Sequence, residues 1–204
     1  MAPWQQLNST APLPAEGATA FTITTAPQKD IWRASPTWNV FDAPMIYQKI
    51  KKSKFKSFRV TVTGPWKTLF DQGGFLLAFP VQTKLANESK WIKAGIEFFK
   101  GQPKVGVVGT DTFSDWSLYP LSEGSGNEGT FEAVLEDGSL WIYLVAKDGE
   151  RHPLREVRWA FQEGDDDDAE MWVGAYAAKP TREADGSDEG IEVEFKDFKL
   201  ETCG

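Results

Sequence analysis

The stretch Trp91–Phe99 (WIKAGIEFF) alternates with a period of two, and that period most constrains what the chain can become. Ile92, Ala94, Ile96 and Phe98 fall on one face, while Trp91, Lys93, Gly95, Glu97 and Phe99 fall on the other. The first set is wholly apolar and belongs in a core. The second places an ammonium and a carboxyl two pleats apart, flanked by aromatic rings, and predicts the floor of a groove. The strand is expected over Asn87–Lys100, with Val105–Thr110 and Asp115–Leu121 following it.

Similar runs recur along the chain. Ala20–Thr25, Asp30–Arg33, Phe55–Thr63, Phe75–Pro80, Met171–Ala178 and Ile191–Leu200 read as strands. Thr130–Leu135, Ser139–Ala146 and Leu154–Phe161 read as a meander turned at Glu136-Asp137-Gly138 and Lys147-Asp148-Gly149. Met45–Lys54 fits either a short helical turn or a bent strand, and Trp38–Pro44 reads as a loop with two aromatic plugs. Helical period never persists beyond two turns, so an all-β sandwich or jelly roll is expected. Residues 1–18, rich in Pro, Ala, Ser and Thr, are expected to be loosely ordered.

Several function classes are disfavoured by composition. The formal net charge is −8 over 204 residues, which opposes non-specific attraction to nucleic acid or anionic membranes. One His (His152, in KDGERHP) and one Cys (Cys203) leave no basis for a His/Cys zinc site or a Ser–His–Asp triad. The acidic run Glu163–Glu170 (EGDDDDAE) lacks the spacing of a calcium loop and reads as a solvated loop. No metal or cofactor is expected. The N-terminus has neither a basic nor an apolar leader region, no apolar run nears the roughly 20 residues of a membrane span, and no disulfide can form within the chain. A cytoplasmic setting is the expectation.

Five segments, FDQGG, WIKAGIEF, SDWS, VGAYAAKP and VEFKDFKLE, occur in an order and spacing that resembles the regulation-of-enolase family, from about Trp38 to Glu201. The resemblance implies a concanavalin A-like jelly-roll β-sandwich of two antiparallel sheets and a cytosolic setting; length and hydrophobic content fit 19–204 as one domain. It implies no reaction, and the fold hosts lectins, glycosidases and inert modules alike. The acidic run and the Ser122–Gly129 loop (SEGSGNEG) depart from the family pattern.

Extending the alternation to other strands assembles one candidate face. It comprises Trp91, Lys93, Glu97, Trp141, Tyr143, Arg158, Trp172 and Tyr176, with Gln72 and Trp116 at its edges. If these strands share a sheet, the face is an aromatic-walled cleft floored by Lys, Glu and Arg, suited to a sugar or other small metabolite. The opposing reading has the aromatics under loops and the charges in a structural network. In an enzyme (isomerase, cyclase or glycoside-active), Glu97 and Lys93 would be the catalytic groups. Lys93 beside Glu97 is expected to hold that carboxyl ionised. A third reading makes the chain an interaction module acting on a metabolic enzyme, docking an acidic partner through an exposed strand edge or through Lys49, Lys51, Lys52 and Lys54, lysines that otherwise read as a solvated strand edge.

Overall fold

A computed structural model of the chain describes residues 2–80, 88–121, 125–162 and 169–203. Fifteen strands, numbered in chain order, form among them. The first sheet has seven, in the spatial order β1 (Trp4–Leu7), β5 (Met45–Lys51), β14 (Glu170–Ala178), β7 (Gln72–Phe79), β8 (Lys90–Phe99), β9 (Gln102–Thr110) and β10 (Ser114–Pro120). The second has six, in the order β13 (Arg151–Val157), β12 (Ser139–Val145), β11 (Glu128–Glu136), β6 (Phe55–Thr63), β15 (Ile191–Thr202) and β2 (Phe21–Thr25). Neighbouring strands in both sheets are antiparallel. The two-sheet jelly roll expected from the alternation is formed.

Each central strand buries one of its two faces between the sheets. From the first sheet come Phe75 and Leu77, Ile92, Ala94 and Ile96, and Met171, Val173, Ala175 and Ala177. From the second come Phe58, Val60 and Val62, Phe131, Leu140, Ile142, Val193 and Phe195. Phe58 meets Phe75 edge-on across the interface at 5.9 Å between ring centroids. Each large side chain buried this way stabilises the fold by about 1.5–3 kcal/mol relative to exposure.

A two-stranded ribbon, β3 (Ile31–Ser35) and β4 (Trp38–Phe41), lies outside both sheets. Its Ile31 and Phe41 pack on the outer face of the seven-stranded sheet, against Met45, Tyr47, Leu76, Trp91 and Tyr176. That sheet is therefore covered by core on one face and partly roofed by a ribbon on the other. The roof ends where the pocket described below begins.

The structure differs from the sequence expectation in several places. Trp38–Phe41 is a strand, not a loop, because β3 supplies its partner. Within the first eighteen residues, Trp4–Leu7 pairs with β5, and Trp4 packs on Phe21 and Phe198. Met45–Lys54 divides into a strand and a 3-10 turn over Lys52–Lys54. Leu154–Phe161 stops being strand at Val157 and continues as a 3-10 turn from Arg158 to Phe161. Residues 163–168 of the acidic run, 122–124 of the SEGSGNEG loop and Asn87 lie outside the described residues. His152 sits on the edge strand β13. Among the described residues, no helix is long and apolar enough to cross a membrane.

Gly74 of β7 faces Gly95 of β8, which faces Gly106 of β9. The backbones meet closely there: a Cβ on Gly95 would lie 2.0 Å from the Gly73 carbonyl oxygen, and one on Gly74 would lie 2.1 Å from that of Ala94. Gly95→Ala should therefore force the two central strands apart, with a loss of about 1–3 kcal/mol in urea unfolding. An unchanged midpoint would show that the strands have room to spare.

Candidate functional site

The floor of the site is built by strand register. Gln72 stands opposite Glu97, and Lys93 stands opposite Val108. These four residues share the outer face of β7, β8 and β9, with Trp116 of β10 beyond them. Asp30 just before the ribbon, Trp32 and Trp38 within it, Phe70 of the turn before β7, and Pro180-Thr181 after β14 complete a cavity of about 360 Å³.

Lys93 is only 3% exposed. Its Nζ donates to the Ile31 carbonyl and to Gln72 Oε1, both at 2.7 Å. Asp30 Oδ1 lies 3.7 Å away, and the ammonium sits over the rings of Trp91 and Tyr176 at 5.7 and 5.5 Å. Gln72 is equally engaged. Its Oε1 also accepts from the Tyr176 hydroxyl at 3.1 Å, and its Nε2 donates to the Phe70 carbonyl. Burial, with Glu97 and Asp30 nearby, drives the Tyr176 phenol far above its usual range, so it stays a neutral donor.

Glu97 is the exception on this floor. It is 8% exposed, yet no donor among the described residues reaches it in hydrogen-bonding geometry. Burial raises its pKa from 4.5 to about 7; Lys93 opposes the rise, Asp30 adds to it, and the Trp116 N–H opposes it weakly. That N–H contact falls short of a formed hydrogen bond, since Trp116 Nε1 is buried without a bonded acceptor. The expectation that Lys93 would keep Glu97 ionised holds only above the raised pKa, because desolvation is the largest effect on the carboxyl. The ammonium is bonded to Ile31 and Gln72, and desolvation outweighs its field at the carboxyl. Room for Glu97 comes from Gly106, where a Cβ would approach Glu97 Oε2 to 3.2 Å.

The walls are aromatic and braced. Trp116 meets Trp32 at 6.3 Å and Phe99 at 5.3 Å, both edge-on, and Phe70 stacks on Phe99 at 6.0 Å. Trp38 stands 61% exposed at the rim. Phe70 adopts φ 67°, a left-handed conformation uncommon for a bulky residue. Asp71, fully buried, holds this turn by accepting from the Lys67 and Thr68 backbone N–H groups at 3.2 and 2.9 Å. Its other oxygen accepts from the buried Lys179 ammonium at 3.0 Å, which also donates to Glu183 at 2.6 Å. Hydrogen bonds from Lys179 and Thr68 hold the Glu183 carboxyl down at about 2. One buried ion pair thus joins the turn carrying Phe70 to the loop carrying Pro180 and Thr181.

Of the residues expected on one face, the structure brings Gln72, Lys93, Glu97 and Trp116 together in this pocket, with Tyr176 beneath them. Trp91 is fully buried under the ribbon against Phe41. Trp172 shares the sheet face but stacks on Tyr47, outside the pocket. Trp141, Tyr143 and Arg158 are placed elsewhere: β12 and β13 belong to the six-stranded sheet, so facing away from the core there means the opposite side of the molecule. There Tyr143 lies under the Arg151 guanidinium and donates to Glu136, and exposed Arg158 pairs with Glu156. Sequence reasoning missed Asp30, Trp32, Trp38, Phe70, Val108, Pro180 and Thr181. The available signals were the aromatic residues on either side of the Ser35-Pro36-Thr37 turn and the Phe that opens FDQGG. Among the described residues no group of three or more His, Cys, Asp and Glu could hold a metal ion.

Two outcomes follow from this geometry. Lys179→Met leaves Asp71 buried without its cation and should cost about 3–5 kcal/mol in denaturant unfolding; a loss below 1 kcal/mol would mean the pair does not brace the walls. Glu97 acts through pH. Its folded pKa lies above its unfolded value, so the folded state holds the extra proton between pH 4.5 and about 7. Stability conferred by the wild-type side chain should therefore fall as pH rises through that window, by about 3 kcal/mol. Glu97→Gln should gain on wild type between pH 4 and pH 8.5 by that amount; a pH-independent difference would contradict the buried carboxyl.

The comparisons with known proteins bear on family and fold. Residues 7–203 match the family described as "Protein of unknown function (DUF1349)". An uncharacterized protein of Emericella nidulans is 41% identical over 170 residues, 83% of this chain and 80% of the relative. Regulation of enolase protein 1 of Saccharomyces cerevisiae is 28% identical over 180 residues, 88% of this chain and 80% of the relative. Among solved structures, a functionally unknown protein from Saccharomyces cerevisiae has a TM-score of 0.76 at 23% identity, over 98% of this chain and 97% of that one. The catalytic domain of an endo-1,3-β-glucanase from Thermotoga petrophila has a TM-score of 0.54 at 12% identity, over 89% and 77%. At such identity the structural likeness shows the fold alone: a jelly-roll sandwich shared with glycosidases. The sequence match is what assigns kinship, and by it this chain belongs to the DUF1349 family, with regulation of enolase protein 1 as a distant relative.

Proposed function

We propose that the pocket over Lys93 and Glu97 binds a small hydroxylated ligand, a carbohydrate or comparable metabolite, in a cytoplasmic, non-catalytic or regulatory role. The observation that carries this reading is Glu97: a carboxyl more than nine-tenths buried, without a bonded donor among the described residues, facing an aromatic-walled cavity. Buried polar groups are nearly always hydrogen-bonded within a protein, and an orphan at a cavity supports an external partner. Trp32, Trp38 and Trp116 offer apolar ring faces or edges to the C–H surface of a sugar, while Asp30 and Glu97 can accept from its hydroxyls. The cavity lies at the lower end of the range for small-molecule sites, about 300–1,000 Å³.

A second reading, catalysis, is favoured by one observation. A carboxyl with a pKa of about 7 is suited to general acid or base work at neutral pH. Asp30 is the other carboxyl of the pocket, and glycoside cleavage requires two. The lysine-run reading has less support: Lys49 is paired with Glu170 and Lys52 lies over the Phe79 and Phe161 rings.

Thermal shift and calorimetry with a panel of sugars and sugar phosphates test the proposal. A ligand that saturates the native protein should raise its melting temperature. Trp116→Ala should weaken that ligand at least tenfold, and Trp141→Ala, on the far side of the sandwich, should leave it unchanged. Binding lost in Trp141→Ala but kept in Trp116→Ala would overturn the assignment. If a hit is also turned over, Glu97→Gln separates the readings: catalysis requires turnover to fall far more than binding weakens.

A further inference from the structure

Resting on the reading of this pocket as a ligand site, we infer that its ligand carries a positive charge: an ammonium or amine group seated between the carboxyls of Asp30 and Glu97 and the surrounding indole rings. Few polar groups of the pocket remain open to a ligand. Lys93 is the only cation among the lining residues, and its ammonium is held by Ile31, Gln72 and the two rings beneath it. Gln72 is bonded at both ends of its amide. Asp30 Oδ1 accepts the Ile31 N–H at 2.7 Å and faces Lys93, while its Oδ2 accepts no bond among the described residues. Glu97 accepts no formed hydrogen bond among the described residues, with the Trp116 N–H near it. Apart from the Trp116 indole N–H and the Thr181 hydroxyl, what the pocket presents is therefore acceptor oxygen and aromatic surface.

Charge points the same way. With both carboxyls ionised the pocket carries two negative charges, buried Glu97 and half-buried Asp30, against the single charge of Lys93, an excess that a cation would offset and an anion would worsen. Aromatic rings around such a site attract ammonium groups through their quadrupoles, and the floor already holds the Lys93 ammonium by that means. The groups facing Glu97 are Lys93 on its own strand, Asp30 just before the ribbon, Tyr176 from β14, and Lys104 as its register neighbour on β9. Lys179, beyond Gln72, is neutralised by Asp71 and Glu183. A cation entering beside Glu97 favours its ionised form, so binding should release a proton near neutral pH and tighten as pH rises through the Glu97 titration.

Calorimetry on the full chain with matched probes tests this. Choline is compared with its uncharged isostere 3,3-dimethyl-1-butanol, and glucosamine with glucose and glucuronate, at pH 6 and pH 8. The expected result is at least a tenfold preference for the cationic member at pH 8, shrinking several-fold at pH 6 for choline, which does not itself titrate. Glu97→Gln, with its fold checked by circular dichroism, should reduce the preference below threefold. Equal or tighter binding of the neutral or anionic member overturns the inference while leaving the pocket as a ligand site. No binding by any probe, charged or neutral, overturns both.

Discussion

The ammonium of Lys93 is the interaction on which the rest of this face depends. A buried cation is costly unless its donors are satisfied, and each of its partners comes from a different part of the chain. The Ile31 carbonyl seats the ribbon on the sheet, Gln72 fixes the neighbouring strand, and Trp91 and Tyr176 supply the ring faces beneath. Because those partners hold the ammonium, it does not pair with Glu97. The carboxyl four residues along the strand is left buried and unbonded, and its titration moves to about 7. The saturated cation and the open carboxyl are two consequences of one arrangement.

Rigidity around this pair comes from two features outside the hydrogen-bonding floor. The facing glycines Gly74 and Gly95 let β7 and β8 approach more closely than any side chain would allow, and Gly106 leaves space for the Glu97 carboxyl. The Lys179–Asp71 pair, fully buried, joins the turn bearing Phe70 to the loop bearing Pro180. Replacing either partner alone leaves a buried charge uncompensated, which is why such pairs hold loops in place even when their net contribution to stability is small. The walls of the cavity are in this way tied to the core rather than left to loop flexibility.

Much of the fold was legible in the sequence because alternation reports faces directly. Ile92, Ala94 and Ile96 in the core and Lys93 and Glu97 outside it follow from period two alone, as do the inward sets of β12 and β14. What alternation cannot report is which sheet a strand joins. Trp141 and Tyr143 do face away from the core, but from the other sheet, and so lie on the opposite side of the molecule from Glu97. The ribbon was hidden for a related reason. Trp38–Phe41 is too short to reveal period two by itself, and only the pairing with Ile31–Ser35, which spans a turn, makes it a strand. The raised pKa of Glu97 is not legible in the sequence, because spacing shows that Lys93 is near without showing how deeply the carboxyl is buried or that the ammonium is bonded to Ile31 and Gln72.

The central claim, that Glu97 is a buried and unbonded carboxyl at a ligand pocket, is most directly tested by a carbon-13 NMR titration of its side-chain carboxyl in the free protein. The expected midpoint is close to 7, well above the ordinary 4.5. A midpoint at or below 4.5 would mean that the carboxyl is solvated or paired, and the site described here would not exist in solution.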